Sequence, residues 1–326
     1  MMESDPTQRI FPHADQRGLQ SPPAATETLR RISWRNAIII GGFHLVALLA
    51  FLPWFFSWTG LILAYFGRFI FGTLGINLCY HRLLTHRGFT CPKWLEHTFA
   101  ILGICCVQDT PARWVSIHRR HHQQADEQGD PHSPLVSFFW AHVGWALVEN
   151  PEIPRSVIFD SYVKDIVRDP FYMMVERNHV WIGLGSWAFF FLGGFIVELY
   201  LAGTIAEAVQ FGFSLLLWGV IVRTVVVWHI TWSVNSVAHL WGYRNFATDD
   251  HSRNNFCLGI ISAGEGWHNN HHADPRAAKH GHHWWEMDDT YIIIRFLGML
   301  GLARNIIMPN AAPTAAGTNE QSATRA

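Results

Sequence analysis

The chain has 326 residues, of which 49% are apolar and only 15% are charged, well below the ~25% charged residues of an average soluble protein. Its formal net charge of -1 gives no electrostatic reason to expect a nucleic-acid partner. The five cysteines form no CxxC pair, which argues against a thiolate zinc site and a disulfide framework. The composition favours a membrane protein and leaves 20 histidines to be explained.

The two ends of the chain differ in composition from its middle. Residues 1–32 are mostly polar and contain several prolines, and residues 309–326 are rich in Ala, Thr and Gly. Segments of this kind cannot bury enough apolar surface to fold. We predict two disordered tails around one membrane domain at residues 33–308.

Four apolar runs are long enough to cross a bilayer, which takes about 20 residues of helix. In chain order they cover residues 36–58, 60–80, 180–201 and 209–228. A shorter run at 94–107 is better interpreted as a re-entrant or interfacial segment. The sequence therefore predicts an all-α integral membrane protein with four transmembrane helices.

Four crossings would place both ends of the chain on one side of the membrane, together with segments 81–179 and 229–308. These two segments hold most of the Arg and Lys residues. By the positive-inside rule, this side is cytoplasmic. We therefore expect the two segments to form a cytosolic helical cap.

Nine histidines fall in three short motifs and at one further position, all close to the ends of predicted spans or in the predicted cap. Residues three and four apart share a helix face, and neutral imidazole is a good ligand for iron, zinc, copper or nickel. Nine imidazoles are more than one ion accepts, so the pattern predicts two metal ions. The nine are His81 and His86 in HRLLTH, His118, His121 and His122 in HRRHH, His268, His271 and His272 in HNNHH, and His239, which comes four residues after Asn235.

The predicted topology offers an independent test of this grouping. The first two motifs precede spans three and four, and the last motif follows them. Two crossings return the chain to the same side, so all three motifs can meet in one cap.

A single HxxHH motif is more often a solvated helix face than a metal site. We apply that interpretation to His280, His282 and His283, which we expect in a solvated loop.

Five longer motifs surround these histidines in a fixed order between about residues 70 and 305. They resemble the motifs of membrane fatty acyl desaturases of the acyl-CoA, stearoyl type. The resemblance implies an O2-dependent enzyme that introduces a cis double bond into a long saturated acyl chain. The matching stretches are GINLCYHRLLTHRGF, WVSIHRRHHQQADEQGDPHSP, AHVGWALV, TWSVNSVAHLWGYR and GEGWHNNHHADP.

The resemblance also implies a diiron centre with nine histidine ligands, one water held by an Asn, and O2 as co-substrate. It names no catalytic residue beyond the metal centre. Asp130, His132 and Glu265 match family positions and are expected next to the ligands. Carried over position by position, the ligands are His81, His86, His118, His121, His122, His239, His268, His271 and His272, and Asn235 would hold the water.

One departure from the family pattern concerns the acyl carrier. Animal members carry an Arg-Asp pair directly before the HRxHH motif, where it contacts CoA, and this chain has Ser116 and Ile117 there. Fatty acyl-CoA is the expected substrate, and a phospholipid-linked acyl chain is the alternative. Electrons are expected from a separate donor, a ferredoxin, cytochrome or reductase. The expected location is a multi-pass membrane protein with a cytoplasmic active site, in the inner membrane if the source is bacterial.

Two other functions compete with this interpretation. A fatty-acid or alkane hydroxylase with the same kind of histidine cage would add one oxygen to the substrate, whereas a desaturase removes two hydrogens. A membrane metal transporter would need ligands that face each other within the spans, but the histidine motifs lie past the ends of the spans. The NxxxH and GEGWHNNHH motifs favour the desaturase.

Overall fold

The computed structural model describes most of the chain, and its described residues are 31–127, 129–150, 153, 156–201 and 203–310. The predicted tails at 1–32 and 309–326 lie outside them, except for two residues at the inner end of each. Within the described part, the chain forms helices and only isolated β-bridges. The all-α prediction is therefore confirmed.

Twelve α-helices are present in the described residues. Short 3-10 turns extend α1 to Phe51, and π-helical segments extend α2 over Arg68–Thr85 and join α8 to α9 over Leu217–Val222. The helices are α1 Trp34–Ala47, α2 Trp58–Gly67, α3 Lys93–Ile104, α4 Pro111–Gln123, α5 Phe138–His142, α6 Lys164–Val167, α7 Pro170–Tyr200, α8 Ile205–Leu216, α9 Arg223–Leu240, α10 Phe256–Ile261, α11 His268–Ala273 and α12 Asp289–Met299.

Four continuous helical stretches are long and apolar enough to cross a membrane: Trp34–Phe51, Trp58–Thr85, Pro170–Tyr200 and Ile205–Leu240. The predicted number of transmembrane helices is confirmed, but their limits differ from the apolar runs. The first stretch ends early because Leu52 is extended, as favoured for a residue before proline. The second and fourth continue past their apolar runs to Thr85 and Leu240, and the third begins at Pro170, ahead of its apolar run.

Helix α3 corresponds to the short apolar run at 94–107 and packs against the π-helical part of α2. The two backbones approach closely at a pair of glycines. A Cβ atom on Gly75 would lie 2.4 Å from the backbone nitrogen of Gly103, and a Cβ on Gly103 would lie 2.4 Å from the Tyr80 ring. Small residues permit such contacts between helices. The contact fixes the end of α2 that carries the first histidine motif.

The histidine motifs gather where the long helices end. The C-terminal end of α2 carries His81 and His86, and the C-terminal end of α9 carries His239. Helix α4 packs on α2, and α11 packs on α9. Two long helices therefore form the base of the site, and two short helices bring the other histidines to it.

Candidate metal centre

The nine predicted ligands form two groups, within each of which the ligand nitrogens lie within 4.8 Å of one another. Both groups are largely enclosed by protein, since seven of the nine residues are at most 9% exposed. The five-histidine group contains His81, His86, His118, His122 and His271, and the four-histidine group contains His121, His239, His268 and His272.

Helix α4 contributes histidines to both groups. His118 and His122 belong to the five-histidine group, whereas His121 belongs to the four-histidine group. Successive residues of an α-helix are rotated by about 100°, so residue i+4 lies about 40° to one side of residue i and residue i+3 about 60° to the other. The HxxHH spacing thus aims two rings at one metal and the third at its neighbour.

Helix α11 repeats this division with the groups exchanged. His268 and His272 belong to the four-histidine group, and His271 belongs to the five-histidine group. The two groups are adjacent, since the ring centroids of His122 and His272 lie 4.6 Å apart. The spacing predicts one shared face for the three histidines of each motif, but the structure shows that each motif serves both groups.

The first motif depends on the π-helical winding of α2. In a regular α-helix, residues five apart point about 140° away from each other. A π-helix pairs residues i and i+5, and the His86 N–H donates to the His81 carbonyl at 3.1 Å. The two rings lie 4.8 Å apart between centroids. The HxxxxH spacing therefore places both imidazoles in the same group.

The distances between ring nitrogens are those expected around a metal ion. With metal–nitrogen bonds of about 2.1 Å, ligand atoms at right-angled or tetrahedral positions lie roughly 3.0–3.4 Å apart. The Nε2 atom of His271 lies 3.1 Å from that of His81 and 2.9 Å from that of His122. In the other group, His239 and His268 have their Nε2 atoms 3.0 Å apart. The donor sets therefore fit two metal ions.

The protonation of five of the ligands also suits metal binding. Burial, followed by the effect of neighbouring histidines, lowers the pKa of several imidazoles well below its ordinary value and keeps them neutral. Both ring nitrogens of His86 are buried and have no hydrogen-bond partner among the described residues. Such a group is costly unless a ligand satisfies it. The residues with lowered pKa are His86, His118, His122, His268 and His271.

Four carboxylates orient ligand rings from behind. Each accepts a hydrogen bond from the Nδ1 atom of one histidine, which leaves the Nε2 atom to face the metal. Every member of the four-histidine group except His268 has such a partner. The pairs are Glu265 with His81 at 2.7 Å, Asp130 with His121 at 3.0 Å, Asp126 with His239 at 2.9 Å, and Asp250 with His272 at 2.6 Å.

Sequence reasoning identified Asp130 and Glu265 but missed Asp126 and Asp250. The missed residues lie in QQADEQ and ATDDH, where several acids compete for the role and no spacing selects one. His132, which was expected beside the ligands, lies with its ring centroid 4.4 Å from that of His121. The acid partners of His239 and His272 become evident only when the loops at 124–130 and 241–255 are placed.

The loop at 280–283 is predicted to be solvated, but the structure buries part of it. His280 is 1% exposed, and its ring centroid lies 4.4 Å from that of the ligand His271. Its backbone N–H donates to Asp288 at 2.7 Å, and Asp288 also pairs with Arg82 at 2.9 Å. Asp288 thus connects the loop to Arg82 beside the site. The local sequence around His280 does not predict this contact.

The two asparagines of HNNHH hold α11 in place. The side-chain oxygen of Asn270 accepts hydrogen bonds from Asn245 and Asn254, each at 2.8 Å, and its amide donates to Glu286 at 2.9 Å. Asn269 accepts from the backbone N–H of Asn245 at 2.8 Å. The histidines of this motif thus face the metal groups, while the asparagines bond to the surrounding loops.

The remaining predicted site residues lie beside the two groups. Asn235 is half-buried on α9, one helical turn before His239. Ser116 is fully buried, and its hydroxyl donates to Asp160. Ile117 is half-buried. The Ser116 side chain therefore lies in the protein interior, where the head group of a soluble acyl carrier cannot contact it.

Comparison with known proteins agrees with this geometry. The family described as fatty acid desaturase matches residues 52–306. The chain is 40% identical over 278 residues to an sn-2 palmitoyl-lipid 9-desaturase of Nostoc sp. (strain 36), covering 85% of this chain and 91% of the relative. It is 40% identical over 277 residues to an sn-1 stearoyl-lipid 9-desaturase of Synechocystis sp., covering 85% and 81%.

A plant protein extends the similarity to another acyl carrier. The chain is 38% identical over 275 residues to an acyl-CoA C20 Delta5-desaturase of Anemone leveillei, covering 84% of this chain and 82% of the relative. The family match at residues 52–306 includes all nine histidines and three of the four long helices. This chain belongs to the fatty acid desaturase family.

Proposed function

We propose that this fatty acyl desaturase introduces a cis double bond into a long saturated acyl chain, using two iron ions and O2. The observation that carries the proposal is the division of nine histidines, seven of them buried, into adjacent groups of five and four. A hydrocarbon C–H bond is not acidic, so acid–base residues alone cannot break it. When bound, the iron pair would supply the oxidising chemistry.

The five-histidine group would hold one iron and the four-histidine group the other. The smaller group leaves more of its ion open, and Asn235 lies one turn before His239 on α9. We propose that Asn235 holds a water ligand on that iron. Imidazole ligands are neutral, so the carboxylates behind them supply negative charge without occupying coordination positions. Their hydrogen bonds fix each ring in the orientation that metal binding requires.

The stoichiometry of the reaction requires an external reductant. The substrate CH2–CH2 unit gives up two electrons and two protons, and O2 takes up four of each to form two waters. Two further electrons and two protons must therefore arrive in each turnover. We propose a separate one-electron carrier as their source, a ferredoxin, a cytochrome or a reductase.

A membrane lipid is the favoured acyl carrier, and acyl-CoA, which the motifs led us to expect, is the second candidate. The two cyanobacterial relatives are named lipid desaturases. In addition, Ser116 is buried and hydrogen-bonded where a CoA-binding arginine would be needed. The Anemone relative is named an acyl-CoA desaturase, so acyl-CoA stays the second candidate carrier.

The metal centre is proposed to face the cytoplasm, as the positive-inside rule predicts. Four helices that are long and apolar enough to span a membrane support a multi-pass membrane protein, and in a bacterium this would be the inner membrane. On this arrangement, acyl chains reach the centre from the bilayer and electrons reach it from the cytosol.

Expression in a desaturase-deficient host tests the proposal. The wild-type chain should produce unsaturated acyl chains, found by mass spectrometry two hydrogens lighter than their precursors, and His121→Ala should produce none. Products one oxygen heavier would indicate a hydroxylase. Metal uptake by vesicles, with an unchanged lipid profile in the presence of a working reductase, would indicate a transporter.

A further inference from the structure

Helix α12 presents an apolar stripe to the outside of the protein. Ile292, Phe296 and Met299 are 54–75% exposed, and their spacing of four and three residues places them on one helix face. Helix α12 packs against the π-helical part of α2, which belongs to the second stretch able to span a membrane. An apolar stripe beside a membrane span meets acyl chains rather than water. We therefore interpret α12 as an interfacial helix that lies in the membrane surface.

A surface depression of about 440 Å³ lies between α12 and the segment that follows it. Arg295 and Arg304 both line it, and no Asp or Glu does so among the described residues. Neither arginine has a carboxylate partner in the described part of the chain, and Arg304 donates to the Gly301 carbonyl at 3.4 Å. A guanidinium is always protonated. The depression therefore carries two positive charges that no carboxylate within it balances.

The rest of the depression is mostly apolar and is continuous with the stripe. Met299 belongs to both, and Ile306 and Met308 also line the depression. A ligand that matches this surface has an anionic head for the guanidinium groups and an apolar tail for the stripe. Guanidinium groups bind phosphate with paired N–H donors. An anionic phospholipid combines both properties, and the bilayer supplies it at this position.

We propose that this depression binds the phosphate of an anionic phospholipid from the leaflet on the side of the metal centre, with the acyl chains lying along α12. None of the nine predicted metal ligands lines the depression. The lipid is therefore a structural ligand at a separate site, and the proposal does not depend on the proposed desaturase function.

The backbone connects this lipid site to the first histidine motif. The Arg304 N–H donates to the Thr90 carbonyl and the Thr90 N–H to the Arg304 carbonyl, each at 2.8 Å. The Ile307 N–H donates to the Gly88 carbonyl, also at 2.8 Å. Gly88 and Thr90 follow the predicted ligand His86 by two and four residues. Since a ligand that binds only the folded protein stabilises it, the lipid should stabilise the segment behind His86.

Native mass spectrometry tests the proposal on the full-length, detergent-solubilised protein titrated with dioleoylphosphatidylglycerol. Dioleoylphosphatidylcholine, which has the same acyl chains but no net charge, is the comparison lipid. Arg295→Gln and Arg304→Gln are measured singly and together, and a double Lys variant keeps both charges. Arg168→Gln is the matched control, since Arg168 is exposed and does not line the depression. Thermal midpoints with and without lipid provide a second readout and identify any variant that does not fold.

Each single Gln variant should bind phosphatidylglycerol about fivefold more weakly, the effect of one arginine near an anionic lipid surface, and the double Gln variant about 25-fold more weakly. The double Lys variant should stay within about fivefold of wild type. Phosphatidylglycerol should raise the thermal midpoint of wild type and of Arg168→Gln but not that of the double Gln variant.

Three results would overturn the proposal. One is an unchanged phosphatidylglycerol affinity in the double Gln variant, and another is equally tight binding of phosphatidylcholine by wild type. The third is an equal loss in the double Lys and double Gln variants, which would indicate side-chain packing rather than charge. Displacement of the lipid by millimolar inorganic phosphate would identify a site for free phosphate and would overturn the assignment to a lipid.

Discussion

Glu265 joins the metal centre to a buried ion-pair network through His81. One carboxylate oxygen accepts the Nδ1–H of His81 at 2.7 Å, and the other pairs with Arg82 at 2.9 Å. Although burial raises the pKa of the Glu265 carboxyl, the Arg82 guanidinium and His81 hold it well below its ordinary value. The carboxylate therefore stays charged and keeps the His81 Nε2 atom free for the metal.

Replacing this carboxylate should weaken the metal in the five-histidine group. Glu265→Gln keeps the size of the side chain but removes the charge that orients His81. Loss of such an outer partner typically costs 10- to 100-fold in metal affinity, and we expect an effect of about this size in iron titrations. Glu127→Gln, at an exposed position outside both groups, should bind iron like wild type, and an equal loss there would contradict the assignment.

Asp250 should have the same role for the four-histidine group. Its carboxylate lies 2.6 Å from the Nδ1 atom of His272, so Asp250→Asn should lower iron affinity in that group by about 10- to 100-fold. The neighbouring Asp249 is exposed and contacts neither group, which makes Asp249→Asn the matched control. Iron released during dialysis distinguishes the two variants. Equal retention by both would show that Asp250 does not orient His272.

The division into two groups predicts which ion each histidine substitution removes. His271→Ala should deplete the iron of the five-histidine group, and His268→Ala that of the four-histidine group, although both lie on α11. Mössbauer spectra of the two ⁵⁷Fe-loaded variants should each lack a different component of the wild-type spectrum. His282→Ala, in neither group, should retain both components. Loss of the same component in both α11 variants would contradict the division.

Much of this architecture could be predicted from the sequence because it depends on local patterns. Apolar runs reveal the four spans, since a bilayer imposes a minimum length. The spacing of HRRHH and HNNHH reveals a helix face. The ends of the spans could not be predicted, because α2 and α9 continue past the apolar sequence wherever other protein segments pack against them.

The less predictable features depend on contacts between distant segments. The π-helical winding that brings His86 beside His81 has no signature in HRLLTH itself. The partner of His272 is Asp250 rather than Asp249, because loop placement decides between adjacent acids. His280 becomes buried because Asp288 and Arg82 hold its loop, and these residues lie far apart in sequence.

The glycine contact between α2 and α3 should be essential for stability. In Gly75→Ala, the new Cβ would lie 2.4 Å from the Gly103 nitrogen, so the helices must separate. Overpacking of this kind typically costs about 1–3 kcal/mol, and we expect a lower thermal midpoint of the detergent-solubilised protein by tryptophan fluorescence. Gly41→Ala is the control, since a Cβ there meets no atom within 4 Å. Equal midpoints for the two variants would show that the contact is not tight.

Anomalous diffraction at the iron edge, on crystals of the iron-loaded protein, tests the central claim most directly. We predict two neighbouring peaks, one within reach of the Nε2 atoms of His81, His122 and His271, and the other within reach of those of His121, His239 and His268. A single peak, or two peaks that both lie within one group, would contradict the dimetal centre on which the proposed desaturase chemistry depends.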